Sequence, residues 1–258
     1  VHLYHDLYRC ESCSEFTDPK GVAPFTNHGA GQTIPVSHFG DIDKSKIWVV
    51  FNNPIGDRND PNVGTTPEMF GAAGGRLSLS DTNAQKVKEH FDRYFTNGGG
   101  HKFFEKWKTM LNGLNIKGEV LTFENGGICA VDLIKCPTAG SFMGYVMKPE
   151  GKKVWDNCLR CSDGNKFLLK QIEHHTPPVI IFAGTQTCVK KQWKGGKDKE
   201  LSSLVTHYPS KLVETVWTIR LPQRLSVGLP SQRKIASLDN ETLSNEKNVI
   251  QSVIDKWM

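Results

Sequence analysis

Uninterrupted apolar runs alternate along this chain with segments whose apolar residues recur at helical spacing. Ile47-Trp-Val-Val-Phe51 has no polar position and predicts a short buried strand. Asn52-Asn53-Pro54 ends it, because Pro54 offers no N–H to a central ladder. Asp81 to Phe95 and His101 to Leu114 place Val87, Phe91, Phe95, Phe104, Trp107 and Leu111 on helical faces, with Asp81 or Thr82 as the expected cap of the first. Gly98 to Gly100 separates the two helices. Ile128 to Ile134 is the next buried strand, Phe167 to His175 a helix, Val179 to Ala183 a third strand, and Val213 to Ile219 a fourth that stops before Pro222. Glu241 to Trp257 closes the chain as an amphipathic helix.

Strands alternating with helices predict a parallel sheet covered on both faces. The expected fold is α/β, a three-layer α/β/α sandwich with a central, mostly parallel four-stranded sheet. Residues 1–45 lack clear periodicity and are expected to form an irregular N-terminal lobe, and 188–211 a basic insertion, within one domain spanning 1–258. In such sheets ligands bind beyond the carboxyl ends of the strands, which would gather Asn53, Asp132, Gly184 and Leu221-Pro222 at one rim.

The formal charge of +5 is mild, but basic residues cluster in 190–199 and again at Arg220, Arg224, Arg233 and Lys234, as suits a phosphate-facing surface. A solvated loop explains the first cluster equally well. There is no leader of signal-peptide type and no apolar run long enough to cross a bilayer, so a cytoplasmic, monomeric protein without a membrane partner is expected. In a reducing compartment the seven cysteines do not suggest a disulfide framework, and Cys10-Glu-Ser-Cys13 has the spacing of a metal or cluster knuckle. His174 and His175, at a helix end before Pro177-Pro178, are expected as helix-terminal cations or surface residues.

Four segments in order, Cys10-x-x-Cys13, Phe51-Asn-Asn-Pro-Ile55, Asp132-Leu-Ile-Lys-Cys136 and Leu221-Pro-Gln-Arg-Leu-Ser226, resemble the uracil-DNA glycosylase superfamily, closest to its iron–sulfur branch. The resemblance runs from Cys10 to about Gly228. It implies a cytoplasmic, DNA-binding, monofunctional glycosylase with a 4Fe-4S cluster in the N-terminal lobe. Cys10, Cys13, Cys136 and Cys161 are its implied ligands, with Cys158 the alternate fourth. A four-cysteine zinc site is the alternative. Cys129 and Cys188 are expected to be buried or surface thiols.

The same resemblance implies roles for individual residues. Asn53 falls where relatives hold the attacking water, with Asp57 as an auxiliary base and Asn52 beside the base. Phe70 falls on the base-stacking Phe, the alternative being a core Phe. Leu225 falls on the leucine that wedges into the duplex, expected at an exposed tip, the alternative being a core leucine, and Arg220 and Arg224 would face the backbone. Leu221 stands where many relatives carry a His, so Arg220, Arg224 or protonation of the base must replace that aid.

Asp132 departs from the resemblance, which has Asn there. An amide suits the edge of uracil, whereas cytosine offers an amino donor at C4 and an acceptor at N3. A carboxylate accepts from the amino group, and if burial raises its pKa the protonated form also donates to N3. The alternatives are a structural acceptor at a helix N-terminus or an inactive site. Ile55 replaces a bulky Tyr near C5, leaving room for a modified cytosine such as glucosylated hydroxymethylcytosine in phage DNA. The expected reaction is hydrolysis of the N-glycosidic bond to an abasic site. A uracil-DNA glycosylase of base-excision repair and a catalytically silent DNA-binding homologue are the rival readings.

Overall fold

The computed structural model describes residues 2–11, 34–51, 67–98, 100–136, 158, 167–183, 205–208, 216–221, 224–229 and 235–258, with only the backbone for 205–208, 216–221, 224 and 226–229. These residues form an α/β protein organised as two compact units through which the chain passes repeatedly. Unit 1 comprises Val1–Phe39, Asn52–Tyr94 and Val131–Thr176; unit 2 comprises Gly40–Phe51, Phe95–Ala130 and Pro177–Met258. Among the described residues no helix is long and apolar enough to cross a membrane.

In unit 2, β1 (Ile47–Phe51) and β5 (Val179–Ala183) are parallel, with Ile47 opposite Val179. Both are buried at every position, which is why their sequences show no polar alternation. β8 (Arg224–Leu229) continues the parallel run beside β5, Val179 opposite Leu225 and Ala183 opposite Leu229. Two antiparallel strands extend the sheet: β7 (Val216–Leu221) pairs with β8, and β6 (Val205–Tyr208) pairs with β7. With β4 (Ile128–Asp132), which passes from unit 2 into unit 1, the sheet has six strands in the order β4-β1-β5-β8-β7-β6. The described part of the expected fourth strand, Val216–Ile219, is therefore antiparallel, and its parallel place belongs to Arg224–Leu229. Part of the expected basic insertion, Val205–Tyr208, is the outermost strand.

A hairpin, β2 (Leu114–Ile116) and β3 (Glu119–Leu121), turns through Lys117 at φ 51° and Gly118 at φ 85°. Both left-handed residues match the twist that a two-residue hairpin loop requires. Helix α3 (Lys102–Leu111) packs with the C-terminal helix α5 (Asn240–Trp257), which also meets β2 and β8. Leu243, Glu246, Ile250 and Ile254 form the buried stripe of α5, and Asp239 caps it by accepting from the Thr242 N–H at 2.7 Å. Phe51, Phe95, Phe104, Trp107 and Phe123 meet largely edge to face, with centroids 4.8 to 6.2 Å apart, and fill the core beside β1.

In unit 1, α1 (His2–Tyr8) packs on α2 (Asp81–Asp92) and on α4 (Phe167–His175). The lobe expected to be irregular thus begins with a helix that buries Tyr4, Leu7 and Tyr8. Residues 12–33 lie outside the described part. The cap of α2 is Ser80, whose hydroxyl accepts from the Asn83 N–H at 3.2 Å, in place of Asp81 or Thr82. His175, expected at the surface or as a helix-terminal cation, shares a 2.6 Å hydrogen bond with the Tyr4 hydroxyl and so ties α4 to α1.

Candidate functional site

Unit 1 holds a pocket lined by Leu7 and Cys10 after α1, Pro35, Lys135, Cys136, Cys158 and Phe167 at the start of α4. Cysteines far apart in sequence thereby meet on one small, mostly apolar surface. Two of them, Cys10 and Cys136, belong to the ligand set that the sequence implied, and the third is the alternate, Cys158. Cys13 and Cys161 lie outside the described residues. No group of three His, Cys, Asp or Glu side chains close enough to hold a metal occurs among the described residues. Cys10, Cys136 and Cys158 share this lining with Leu7, Pro35 and Phe167 without forming a metal-holding group among the described residues. Cys129 stands apart, buried in β4 with its thiol 3.6 Å from the Gly40 carbonyl oxygen.

Lys135 is the residue that the sequence reading missed. It is 2 % exposed, far below what a lysine usually accepts. Its ammonium donates to the Ser37 carbonyl oxygen at 3.2 Å, and its own carbonyl accepts from the Val36 N–H at 2.7 Å. Ser37 is fixed in turn: its carbonyl also accepts from Gln171 Nε2 at 3.2 Å, and its hydroxyl shares a 2.8 Å hydrogen bond with the Tyr8 hydroxyl. Burial pushes the Tyr8 phenol well above its ordinary range, so it stays protonated. The one sequence signal for Lys135 is its position between Ile134 and Cys136 in an otherwise apolar run. The partners that hold it come from segments too distant for periodicity to connect.

Asp132 is the last residue of β4 and is 3 % exposed. Burial pushes its carboxyl up to about 7, against the opposing pull of the Lys135 charge. Among the described residues no donor hydrogen-bonds to this carboxyl, neither a helix N-terminus nor a main-chain amide. A buried carboxyl poised near neutrality can accept a hydrogen bond when ionised and donate one when protonated.

Other expected site residues fare differently. Phe70 ends a 3-10 turn, Pro67–Phe70, and is 8 % exposed; its ring meets His90 edge to face at 5.7 Å. Asn52, Asn53, Ile55 and Asp57 lie outside the described residues.

Leu225 requires a correction. It is 4 % exposed and paired inside β8, its N–H donating to the Pro178 carbonyl oxygen at 2.9 Å, so it is no exposed tip. The reason is topological. Leu221 pairs with Arg224, Arg220 with Leu225, and Leu225 with Val179, the first residue of β5. The segment therefore sits at the amino end of the parallel strands, whereas Ala183, the residue before Gly184, ends β5 roughly 13 Å away at 3.3 Å per residue. Leu221 therefore does not lie at the carboxyl end of β5, the rim to which the sequence reading assigned it.

No protein-family model matches the chain, and no curated protein matches it either.

Proposed function

We propose that this protein is a monofunctional DNA glycosylase that hydrolyses the N-glycosidic bond of a flipped cytosine-type base, C5-modified as in glucosylated hydroxymethylcytosine of phage DNA, and leaves an abasic site. The observation that carries this reading is the buried Asp132 carboxyl pushed up to about 7. Protonated, it donates to N3 of cytosine; ionised, it accepts from the C4 amino group. Proton donation to N3 also lets the base leave as a neutral molecule, which lessens the need for a second-motif His.

In this mechanism Asn53 orients a water whose oxygen bonds to C1′ as the bond to the base breaks, and Asp57 receives the water's proton. Phe70 offers the ring beside the everted base. The fold proposed is the three-layer α/β/α sandwich, and the protein acts on DNA as a cytoplasmic monomer. Cys10, Cys13, Cys136 and Cys158 are the proposed ligands of a 4Fe-4S cluster. When bound, that cluster cross-links distant segments of the lobe and supplies a rigid anchor for DNA docking, with no part in bond cleavage. Between the two candidates for the fourth place, Cys158 and Cys161, the shared pocket lining with Cys10 and Cys136 supports Cys158.

One observation favours a rival reading, a DNA-binding homologue without activity: Leu221 and Leu225 lie at the amino end of the parallel strands, away from the rim where the chemistry is expected. A single assay separates the two. Oligonucleotides carrying uracil, cytosine, methylcytosine, hydroxymethylcytosine or glucosylated hydroxymethylcytosine at one position are incubated with protein and treated with alkali. Strand breaks at a cytosine-type base support the proposal. Breaks at uracil alone indicate a repair enzyme, and salt-sensitive binding without breaks indicates the inactive homologue.

A further inference from the structure

Leu225 is buried in β8, so an apolar side chain that fills a duplex after a base is everted has to come from elsewhere. Among the described residues the exposed large apolar ones are Met69, Leu77, Val120 and Met258, with Met69 the most exposed at 59 %. A lone exposed apolar residue is ordinary. Met69 differs by its place, on the 3-10 turn Pro67–Phe70 one residue before the ring assigned to the everted base. Successive side chains of such a turn diverge by about 120°. Phe70 accordingly points inward, where His90 meets it edge to face at 5.7 Å, while Met69 points into solvent. Two main-chain hydrogen bonds close the turn, from the Gly71 N–H to the Glu68 carbonyl oxygen at 3.0 Å and from the Ala72 N–H to the Pro67 carbonyl oxygen at 3.1 Å. Gly71, at φ 79°, takes the reversal without strain. Beyond it the exposed Gly71, Ala73 and Gly74 carry no long side chain that would hold a duplex away. Glu68 is the one exposed charged residue between Pro67 and Ser80, and its carboxylate repels phosphates, so this tip is suited to bases rather than to the backbone.

We infer that Met69 is the wedge of this protein: its side chain enters the base stack of duplex DNA where the target nucleotide leaves, and so stabilises the everted state. The inference rests on the glycosylase reading above and adds a DNA-contacting residue to that same site. The Cα atoms of Met69 and Phe70 are about 3.8 Å apart, so a nucleotide turned toward Phe70 brings its gap in the stack to the same turn. An unbranched thioether fills gaps of varied shape, as a wedge that serves many flanking sequences must. No bond forms or breaks in this step.

The test uses the full chain on a duplex and on the single strand of the same sequence, each with glucosylated hydroxymethylcytosine or uracil at the target and 2-aminopurine beside it. Only the duplex has a paired stack to open, so the ratio of duplex to single-strand rates of abasic-site formation separates the wedge from folding and from bond cleavage. Met69→Ala is expected to lower that ratio at least about tenfold, since opening a base step is costly. Met69→Leu, which keeps apolar bulk, is expected to restore it, and Val120→Ala, which trims exposed apolar surface elsewhere, to leave it as in the wild type. An unchanged ratio in Met69→Ala, or a wild type confined to single strands, overturns the inference and leaves the glycosylase reading intact. A wild type that cleaves neither substrate overturns that reading, and aminopurine fluorescence on duplex binding then decides the wedge by itself. A rise that Met69→Ala loses supports the inference; no rise, or an equal rise in both proteins, overturns it.

Discussion

His38 donates its Nε2–H to Asp92 Oδ1 across 2.9 Å in the core of unit 1, while Lys88 donates to the other carboxylate oxygen at 2.8 Å. His38 is fully buried, and its Nδ1 has no hydrogen-bond partner among the described residues. Burial pulls the imidazole below its ordinary value, so the neutral ring is the donor. Burial alone would raise the Asp92 carboxyl, but the bonds from His38 and Lys88 win and hold it at about 2.

Both shifts make the fold sensitive to acid. The unfolded chain takes up a proton on His38 near 6.5 and on Asp92 near 3.9 while the native state resists both, so stability falls as pH drops through each value. Asp92→Asn is expected to cost about 2 to 3 kcal/mol at neutral pH, since it leaves a buried lysine poorly paired. It should also abolish the loss of stability between about pH 4 and 2. Urea unfolding across that range measures both.

Asp132 has the opposite sign. Its folded pKa is raised, so the native state binds a proton between about pH 4 and 7 that the unfolded chain does not hold, and its contribution to stability falls as pH rises through that window. Asp132→Asn is therefore expected to gain stability relative to wild type with increasing pH and to level off above about 7. The upper bound is about 4 kcal/mol from the size of the shift. Denaturant midpoints of the two proteins at pH 5 and pH 8 provide the comparison; a constant difference would mean that the carboxyl titrates as it does in water.

Gly40 adopts φ 97°, and a Cβ there would come within 2.9 Å of Phe95 Cδ2 and 3.2 Å of the Ile128 carbonyl oxygen. Gly40→Ala combines left-handed strain with overpacking, and a loss of about 2 to 4 kcal/mol is expected by thermal or urea unfolding.

The elements most legible in the sequence were those whose burial is total. Ile47–Phe51 and Val179–Ala183 carry no polar residue because both faces of each strand are covered. Phe167–His175 showed its helical spacing directly. Apolarity alone could not separate strand from buried coil, so β4 stops at Asp132 although Leu133 and Ile134 are buried too. In β8, Leu225, Val227 and Leu229 alternate with Arg224, Ser226 and Gly228, a period-two signal that the resemblance to a loop motif obscured. The hairpin at Lys117-Gly118 lacks the Asn-Gly or Asp-Gly pair that usually announces one. Of the candidate site, Asp132 and the cysteines were legible by residue type. The Ser37, Tyr8, Gln171 and Lys135 network was not, since its members come from separate segments and meet only after folding.

Cysteine variants sort the pocket. On the cluster proposal, Cys158→Ser is expected to lose most of the iron and its visible absorbance, while Cys129→Ser and Cys161→Ser retain both. Iron and zinc analysis of the purified proteins reports the outcome and distinguishes a cluster from a zinc site.

The account turns on the Asp132 carboxyl, and base preference in the Asp132→Asn protein tests it most directly. Rates of abasic-site formation are measured for wild type and variant on matched oligonucleotides carrying a cytosine-type base or uracil. The prediction is that the amide variant loses at least about tenfold on the cytosine-type base, as expected for a mismatched hydrogen-bonding edge, and shifts toward uracil. An unchanged ratio of the two rates would contradict it.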